Sequence, residues 1–274
     1  MAAKVIIFWD FDAQWGADRS RSPGGVKEWG MRDFINTERL LDVLEHAEVK
    51  ACFAIVGATA LRGKRPYHDP ALVRRIANTG HEIASHGMKH EWLPGLGESK
   101  LCQVLRESKD ALEQCIGNRV TSFVPPFNQP FDYFIRGSIS LAERREAGKT
   151  RIDIPRLCQA LYESGYNFTR ISYAGLVERL LKQLKVNSKV HTSKVDHLCG
   201  VKTLRLTCKS GFGEEALRVL ELAVQKNRVA VLYGHPHSLS ENGLQSEARL
   251  VTLLEKIHAW RKQDRLEVML PAQL

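Results

Sequence analysis

Two short segments of this chain combine residue types that bind metal ions and transfer protons. Asp10-Phe11-Asp12 follows an apolar run from Val5 to Trp9, and His86-Gly87-Met88-Lys89-His90 follows a second short run that starts at His81. Runs rich in β-branched and aromatic residues predict buried strands, so each polar segment is expected at the C-terminal end of a strand. Two histidines four residues apart, with a carboxylate from a neighbouring strand end, can form a three-ligand site that keeps a position open for water. The pattern therefore predicts a catalytic metal site.

Each segment alone has a plainer explanation. Asp-x-Asp after a strand is common in turns and helix caps, and histidines at this spacing are often only solvated. A zinc protease of the His-Glu-x-x-His type is excluded because Gly87 stands where that motif has its general-base Glu. Because glycine is also a poor residue for a helix interior, the segment between the two histidines is predicted to be a loop.

Together the segments resemble the motifs of the polysaccharide deacetylase family, the NodB-homology or carbohydrate esterase family 4 enzymes. Trp9–Asp12 is similar to the first motif, although Phe11 separates two acids that many members have side by side. His86–His90 is similar to the second motif, with Gly in place of a hydroxyl residue. Val124–Asn128 resembles the third motif without its Arg, and the strand-like run before His235 resembles the last. The fourth motif has no assigned counterpart.

The resemblance implies a role for each polar residue of these motifs. Asp12, His86 and His90 would bind one divalent ion, with zinc preferred and Fe, Co, Ni or Mn as alternatives, because affinity alone does not select the metal. Asp10 would take a proton from the attacking water, and His235 would give one to the leaving amine. A backbone N–H after the Pro-Pro turn of the third motif would stabilise the oxyanion.

Further expectations concern substrate contacts and the missing Arg. Trp15 and Phe127 could stack on a sugar face, although aromatics near strand ends more often belong to the core. His237 is the second candidate for the general acid, and Arg170, near the end of a later strand, is a candidate to tether Asp10 in place of the missing Arg. The expected substrate-binding set is Trp15, Pro126, Phe127, Asn128 and His237.

Length and composition favour one enzyme domain spanning residues 1–274. The chain has 43% hydrophobic residues and a mean hydropathy of −0.27, with no linker or repeat that would divide it. No signal peptide is expected, and no apolar run reaches the roughly 18 residues that a membrane span needs. Six cysteines without paired spacing favour reduced thiols. A cytoplasmic location, with peripheral association at the inner membrane surface as a variant, is therefore expected.

Strand-like and helix-like segments alternate along the chain, which predicts a parallel sheet closed or nearly closed into a barrel. In such a barrel the C-terminal strand ends converge on one rim, which would bring the motifs together. The family resemblance implies an α/β fold of the irregular (distorted) (β/α)7 barrel type. Strands are predicted at 5–9, 50–56, 81–85, 121–124, 166–171 and 228–233, helices near 37–46, 70–78, 99–116, 155–164, 174–184, 214–225 and 246–262, and a loop at 16–30.

The charge distribution adds an expectation about the substrate. The net charge is +9, and residues 177–210 hold eight Lys or Arg against two acids. Such a basic stretch is most often a solvated face, but it could steer an anionic substrate or a negatively charged membrane surface. No nucleic-acid-binding motif accompanies it. A nucleotide-linked or lipid-phosphate-linked acylamino sugar fits these features better than neutral chitin.

The sequence thus predicts a metal-dependent hydrolase that removes an N-acetyl or N-formyl group from an amino sugar in surface-glycan biosynthesis. One alternative is a related hydrolase that acts on cyclic amides or O-acetyl groups. The other is a non-catalytic carbohydrate-binding protein that retains the fold, motivated by the missing Arg and the spacing of the two acids. Homo-oligomerisation is left open.

Overall fold

The computed structural model describes residues 2–19, 27–128, 154–171, 192–240 and 245–274. The strands in these ranges are β1 (Ala3–Phe11), β2 (Cys52–Ile55), β3 (Glu82–Ser85), β4 (Ser122–Phe123), β5 (Phe168–Ile171), β6 (Asp196–Leu198), β7 (Val201–Arg205), β8 (Val229–Gly234) and β9 (Leu266–Val268). The α-helices are α1 (Ala13–Arg19), α2 (Gly30–His46), α3 (Pro70–Asn78), α4 (Glu98–Ile116), α5 (Ile154–Glu163), α6 (Glu214–Lys226) and α7 (Glu247–Arg261).

The described strands form one curled sheet with the order β6-β7-β5-β4-β3-β2-β1-β8. From β7 to β8 this path holds seven strands, all paired in parallel. The short strand β6 pairs antiparallel with β7, and β9 adds to β1 at its start. Helices connect most of the parallel neighbours, as parallel pairing requires. The α/β class and the irregular seven-stranded barrel expected from the sequence are confirmed.

The two ends of the sheet are joined by the segment that follows β7. The hydroxyl of Thr207 donates to the Val231 carbonyl of β8 at 2.7 Å and accepts from the Val231 N–H at 3.0 Å. The Gly211 N–H donates to the Tyr233 carbonyl at 3.0 Å. These bonds satisfy the outer edge of β8, which would otherwise expose unpaired backbone groups, and they bring β8 close to β7.

The alternation of side chains along β1 decides what faces the barrel interior. Val5, Ile7 and Trp9 pack in the cluster between sheet and helices, whereas Ile6 and Phe8 pack in the interior cluster. Because side chains alternate with a period of two, Asp10 continues the interior series. The buried strand thus carries a carboxylate into the mouth of the barrel.

Helices α3 and α4 begin and end where the sequence predicts, whereas α2 begins at Gly30 and not near the predicted start at Thr37. Pro70 stands at the first position of α3, and the Asp69 carboxylate accepts the Leu72 N–H at 2.9 Å as an N-cap. Gly117, with a φ of +73°, ends α4 in the left-handed conformation that glycine adopts without cost. The predicted helix bounds for 70–78 and 99–116 therefore agree closely with α3 and α4.

Some predictions were wrong or fall outside the described residues. The start of the predicted loop at 16–30 is helix α1, because Gly16 continues a helical turn and packs against Asp12 rather than ending it. Strands β6, β7 and β9 were not predicted. The predicted helix at 174–184 lies outside the described residues. Within the described ranges, no helix is both long and apolar enough to cross a membrane.

Candidate metal and catalytic site

The C-terminal ends of β1, β3, β4, β5 and β8 converge at one rim of the barrel and carry the polar residues of the site. On β1, Asp10 is 2% exposed and Asp12, just beyond the strand, is 5% exposed. The turn after β3 holds His86 and His90, which are equally buried. Charged groups are rarely buried unless they are paired or bind a metal ion, so each of these side chains requires a partner.

Asp12, His86 and His90 meet at one point. Nε2 of His86 lies 3.3 Å from Oδ1 of Asp12, and Nε2 of His90 lies 3.4 Å from the same oxygen. Within the described residues, these three form the one group of metal-ligand side chains whose ligand atoms lie within 4.8 Å of one another. The structure thus brings together the three residues expected to bind a metal ion.

The donor set fits a divalent cation. Nδ1 of His86 donates to the Val124 carbonyl at 2.7 Å, which leaves the lone pair of its Nε2 directed at Asp12. Oδ1 of Asp12 is buried and, among the described residues, has no hydrogen-bond partner. Burial raises the pKa of Asp12, but the imidazoles of His90 and His86 outweigh it and hold that pKa well below its ordinary value. An ionised oxygen flanked by two imidazole nitrogens suits zinc and other borderline metals.

Asp10 is held by a buried arginine from the far side of the barrel. Arg170 on β5 is 1% exposed, and its two terminal nitrogens donate to both oxygens of Asp10, at 2.8 and 2.6 Å. Burial raises the pKa of Asp10, but the Arg170 guanidinium outweighs it and holds that pKa below its ordinary value. The Asp10 carboxylate is therefore ionised and fixed in orientation.

Asn128 and Tyr233 complete the support of Arg170. Oδ1 of Asn128 accepts from Arg170 at 2.8 Å, and its Nδ2 donates to the Tyr233 hydroxyl at 3.0 Å. The guanidinium carbon lies 4.7 Å from the centre of the Tyr233 ring and 5.0 Å from that of Phe8. Both ends of the Asn128 amide thus have protein partners, which favours a supporting role over the expected substrate contact.

His235 follows β8 and faces Asp10 across the rim. Its Nε2 lies 3.9 Å from Oδ2 of Asp10, and its Nδ1 lies 3.3 Å from the Ser210 hydroxyl. The backbone N–H of His235 donates to the Gln245 side chain at 2.8 Å. Burial lowers the pKa of His235, and the carboxylates of Asp12 and Asp10 offset this only in part. A largely neutral imidazole can accept a proton before it gives one.

His237 has a carboxylate partner of its own, Asp33, which the sequence did not single out. Oδ1 of Asp33 accepts the His237 backbone N–H at 2.8 Å and lies 3.2 Å from its Nδ1, while Oδ2 accepts the Ala13 N–H at 2.8 Å. Burial lowers the pKa of His237, but the Asp33 carboxylate outweighs it, and the net shift is upward. The Trp29 ring stacks on His237 at 4.6 Å. An Asp in the first turn of a helix carries no signal of such a role, because it is equally expected from the helix dipole.

The remaining expected substrate residues line the same rim. Trp15 donates through Nε1 to the Tyr67 carbonyl at 3.0 Å, and the Lys89 ammonium lies 5.4 Å from its ring centre. Phe127, with a φ of +59°, packs its ring edge-on against His90 at 4.5 Å. Pro126 is buried and packs close to Gly87. The third motif thus supports the second motif directly.

Comparisons with known proteins show which family the chain resembles in sequence and in fold. The family model described as polysaccharide deacetylase matches residues 33–141. An uncharacterized protein of Bacillus subtilis, YlxY, is 28% identical over 111 residues, 40% of this chain and 32% of that protein. The peptidoglycan-N-acetylglucosamine deacetylase of Bacillus cereus is 31% identical over 94 residues, 34% of this chain and 30% of that protein. The chain thus aligns with about a third of the length of these relatives.

Among solved structures, a candidate polysaccharide deacetylase from Mycobacterium smegmatis superposes with a TM-score of 0.65 at 20% identity. The superposition covers 98% of this chain and 87% of that one. At this identity the superposition shows only that the two chains share a fold, and the shared fold covers nearly the whole of this chain. The sequence match to the family model covers residues 33–141, less than half of the chain, and over that part the chain is similar in sequence to the polysaccharide deacetylase family.

Proposed function

We propose that this protein is a divalent-metal-dependent hydrolase that removes the N-acetyl group of an amino sugar, with N-formyl as the alternative acyl group. The observation that carries the proposal is the meeting of Asp12, His86 and His90 beside an ion-paired Asp10 and beside His235. An amide is hydrolysed when a nucleophile, a base and an acid surround its carbonyl at hydrogen-bond distances. This rim presents candidates for the base and the acid beside one metal-ligand set.

Asp12, His86 and His90 would hold the ion, with zinc as the preferred metal. When bound, such an ion supplies Lewis-acid chemistry and makes water a better nucleophile near neutral pH. The protein orients the ligands of the ion: the hydrogen bond from Nδ1 of His86 to the Val124 carbonyl fixes the imidazole ring so that its Nε2 faces Asp12.

Asp10 is the proposed general base. Its pKa lies below the ordinary value, so it is ionised at neutral pH and able to accept a proton. The two bonds from Arg170 use one direction of each carboxylate oxygen, and each oxygen keeps a second lone pair. Arg170 thus aims the carboxylate while leaving it free to accept.

His235 is the proposed general acid. Its Nε2 stands 3.9 Å from Asp10, so a proton taken up at Asp10 has a short path to the imidazole and onward to the leaving nitrogen. An amine needs that proton in order to leave. His237 lies next to it, with ring centres 5.2 Å apart, and remains the second candidate for this role.

For the substrate we propose an acylamino sugar that carries a nucleotide or lipid phosphate, handled in the cytoplasm or at the inner membrane surface. The basic stretch at 177–210 supports an anionic carrier through its charge. Residues 177–191 of that stretch lie outside the described residues, so its support comes from composition.

One of the two reasons to consider a non-catalytic carbohydrate-binding protein is weaker in this structure. The missing Arg of the third motif was one reason to propose a silent binding protein, but Arg170 supplies the same charge to Asp10 from another strand. A hydrolase acting on cyclic amides or O-acetyl groups would use the same rim residues, so a substrate panel must separate these activities.

The test pairs metal content with acetate release. Purified wild-type protein and the double variant His86→Ala/His90→Ala are analysed by mass spectrometry for bound metal and assayed on free, nucleotide-linked and lipid-phosphate-linked N-acetylhexosamines. We expect one ion per chain and acetate release in the wild type, and neither in the double variant. Asp10→Asn should keep the ion and lose turnover. The proposal would be overturned if the wild type bound no metal after incubation with zinc, or if Asp10→Asn still released acetate.

A further inference from the structure

The turn that carries both metal-site histidines is held by hydrogen bonds to its backbone from two directions. On one side, the Gly87 carbonyl accepts from the Gly57 N–H and from the Ser108 hydroxyl, each at 2.8 Å. The Met88 carbonyl accepts from the Ala58 N–H at 2.9 Å. The loop after β2 and the helix α4 therefore fix the carbonyl groups of the turn.

On the other side, one carboxylate takes the N–H groups. Oε2 of Glu91 accepts the Met88 N–H at 3.0 Å, and Oε1 accepts the Lys89 N–H at 2.8 Å. Glu91 is only 9% exposed, so its charge is stabilised largely by these bonds. Hydrogen bonds to an ionised acceptor are roughly twice as strong as neutral ones. The proposed chemistry makes no use of Glu91.

The turn needs such support because it does not follow a regular helical path. Gly87 has a φ of +76° and His90 a φ of +58°. A residue other than glycine in the left-handed region costs on the order of 1 kcal/mol and persists where the surroundings enforce it. In this conformation Nε2 of His90 reaches to 3.4 Å from Asp12. The position of the His90 ring therefore depends on the conformation of the turn, which the Glu91 bonds help to hold.

Gly87 and Glu91 also compete for the same space. A Cβ atom on residue 87 would lie 2.9 Å from Oε2 of Glu91 and 3.3 Å from Cγ of Pro126. Real Cβ atoms essentially never lie that close to another atom, so a larger residue at position 87 would force the end of the Glu91 side chain to shift from its place on the Met88 N–H. The absence of a side chain at position 87 is what leaves room for the carboxylate.

We propose that Glu91 is a positioning residue that preorganises the metal-binding turn, and that Gly87 is required because it makes room for the Glu91 carboxylate. The inference rests on the proposed metal site. It concerns the affinity for the ion and the shape of the turn, whereas the proposed function concerns turnover.

The first experiment measures the dissociation constant for Zn²⁺ by chelator competition. We expect Glu91→Ala to weaken binding by roughly 10- to 100-fold, the usual effect of removing a group that orients a metal ligand. The dissociation constant of Glu91→Gln should lie between those of the wild type and Glu91→Ala. Its amide oxygen can accept one of the two N–H groups, whereas its NH₂ group faces the other N–H and cannot accept from it. Glu255→Ala, an exposed change on α7, is the matched control and should leave the constant unchanged.

A double-variant cycle tests the coupling between the two positions. Gly87→Ala alone should weaken binding through backbone strain and through displacement of Glu91. In the Glu91→Ala background the backbone strain and the contact with Pro126 remain but the carboxylate is gone, so Gly87→Ala should weaken zinc binding less than it does in the wild type. If the loss of zinc affinity in the double variant equals the product of the losses in the two single variants, the proposed competition for space is overturned.

Amide hydrogen exchange of Met88 and Lys89 in the metal-free protein provides a readout that needs no ion. We expect slow exchange in the wild type and faster exchange in Glu91→Ala, with the thermal midpoint showing that both proteins are folded. Unchanged exchange would overturn the holding role. Faster exchange with unchanged zinc affinity would overturn the positioning role. If the wild type binds no zinc, the proposed function fails, and the exchange rates still decide whether Glu91 holds the turn.

Discussion

At the scale of single residues, the site is defined by charges that are buried in pairs. Asp10 with Arg170 and Asp33 with His237 each place an acid against a cation or an imidazole at the same rim. Buried ion pairs add little stability over apolar packing, but breaking one of them is costly. Each pair fixes the position of its carboxylate, and variants of one partner should separate that placement from folding.

Arg170→Lys tests how Asp10 is aimed. A lysine keeps the positive charge but offers a single point of contact in place of the two-pronged fork that now binds both oxygens. We expect turnover to fall about 100-fold, the usual scale for displacing a catalytic group by about 1 Å, with metal content unchanged. Acetate release and mass spectrometry provide the two readouts.

Two further variants serve as controls for Arg170→Lys, one at a surface arginine and one that removes the charge of Arg170. Arg218→Lys on the surface of α6, where the exposed partner Glu214 lies 3.4 Å away, should change nothing. Arg170→Met, which removes the charge, should lower the free energy of unfolding by about 3–5 kcal/mol because Asp10 stays buried without a partner. Full activity in Arg170→Lys would contradict the proposed aiming role.

At the scale of secondary-structure elements, two helices act on the site through their first turns. Helix α1 starts directly after Asp12, and Gly16 within it faces that residue. Helix α2 presents Asp33, which bonds both Ala13 in α1 and His237 after β8. The helices thus lock the loops after β1 and β8 to each other.

Gly16→Ala separates helix propensity from this close approach. Alanine favours a helix over glycine by up to about 1 kcal/mol, but a Cβ at position 16 would lie 2.4 Å from Cβ of Asp12. We expect weaker zinc binding by chelator competition, because Asp12 must move. Gly97→Ala, where no atom lies within 4 Å of the added Cβ, is the control. Unaltered zinc affinity would show that Asp12 yields without cost.

Asp33→Asn tests the link between the two loops. An amide has one acceptor oxygen, so it cannot serve both the Ala13 N–H and the His237 groups. We expect the free energy of unfolding to fall by about 1–3 kcal/mol, the cost of a buried unsatisfied group, and turnover to fall with metal content retained. Urea denaturation and acetate release measure the two effects. Asp42→Asn, exposed on the same helix, should be neutral; equal effects of the two changes would contradict the link.

The strand-end motifs could be predicted because an apolar run that stops at a polar residue is visible in one dimension. Asp10, Asp12, His86 and His90 all follow such runs, and parallel topology brings their ends together. Arg170 could be proposed as the tether of Asp10 from its position near a strand end, but the contact of its two terminal nitrogens with both carboxylate oxygens could not be deduced, since 160 residues separate the two. Such a long-range pairing is set by the tertiary fold.

Other supporting residues gave no such signal. Asp33 and Glu91 stand in a helix and beside a histidine, where solvated acids are common, and their partners are backbone N–H groups that every sequence position offers. The short strands β6, β7 and β9 were missed because their residues are mixed in polarity, and the sheet rather than local preference holds them.

At the scale of the whole molecule, the two ends of the barrel serve different purposes. The site occupies the C-terminal strand ends, while the C-terminal segment of the chain lies toward the other end, where the Ala272 N–H donates to Glu82 at 2.9 Å. Near that end His81 is 6% exposed, and its Nδ1 accepts the Ala51 N–H at 3.1 Å. A protonated ring would present a donor to that N–H, so the folded protein favours neutral His81.

This buried histidine predicts how stability changes with pH. Burial, with the nearby Lys50 charge, lowers the pKa of His81 from 6.5 to about 4. The unfolded chain therefore binds the proton first as the pH falls, and the contribution of His81 to stability, complete above pH 6.5, is lost between 6.5 and about 4. At 1.36 kcal/mol per pKa unit the loss is at most about 3 kcal/mol.

His81→Gln should remove this dependence, because a glutamine oxygen can accept the same N–H without titrating. Urea denaturation at several pH values between 7 and 4 should show the wild type losing more stability than His81→Gln across that range. His46→Gln, at an exposed position in the last turn of α2, should follow the wild type. The same carboxylates are present in all three proteins, so the comparison of the curves tests the contribution of His81. Parallel curves for wild type and His81→Gln would mean that protonation of the His81 ring costs the folded protein no stability, which would contradict the prediction.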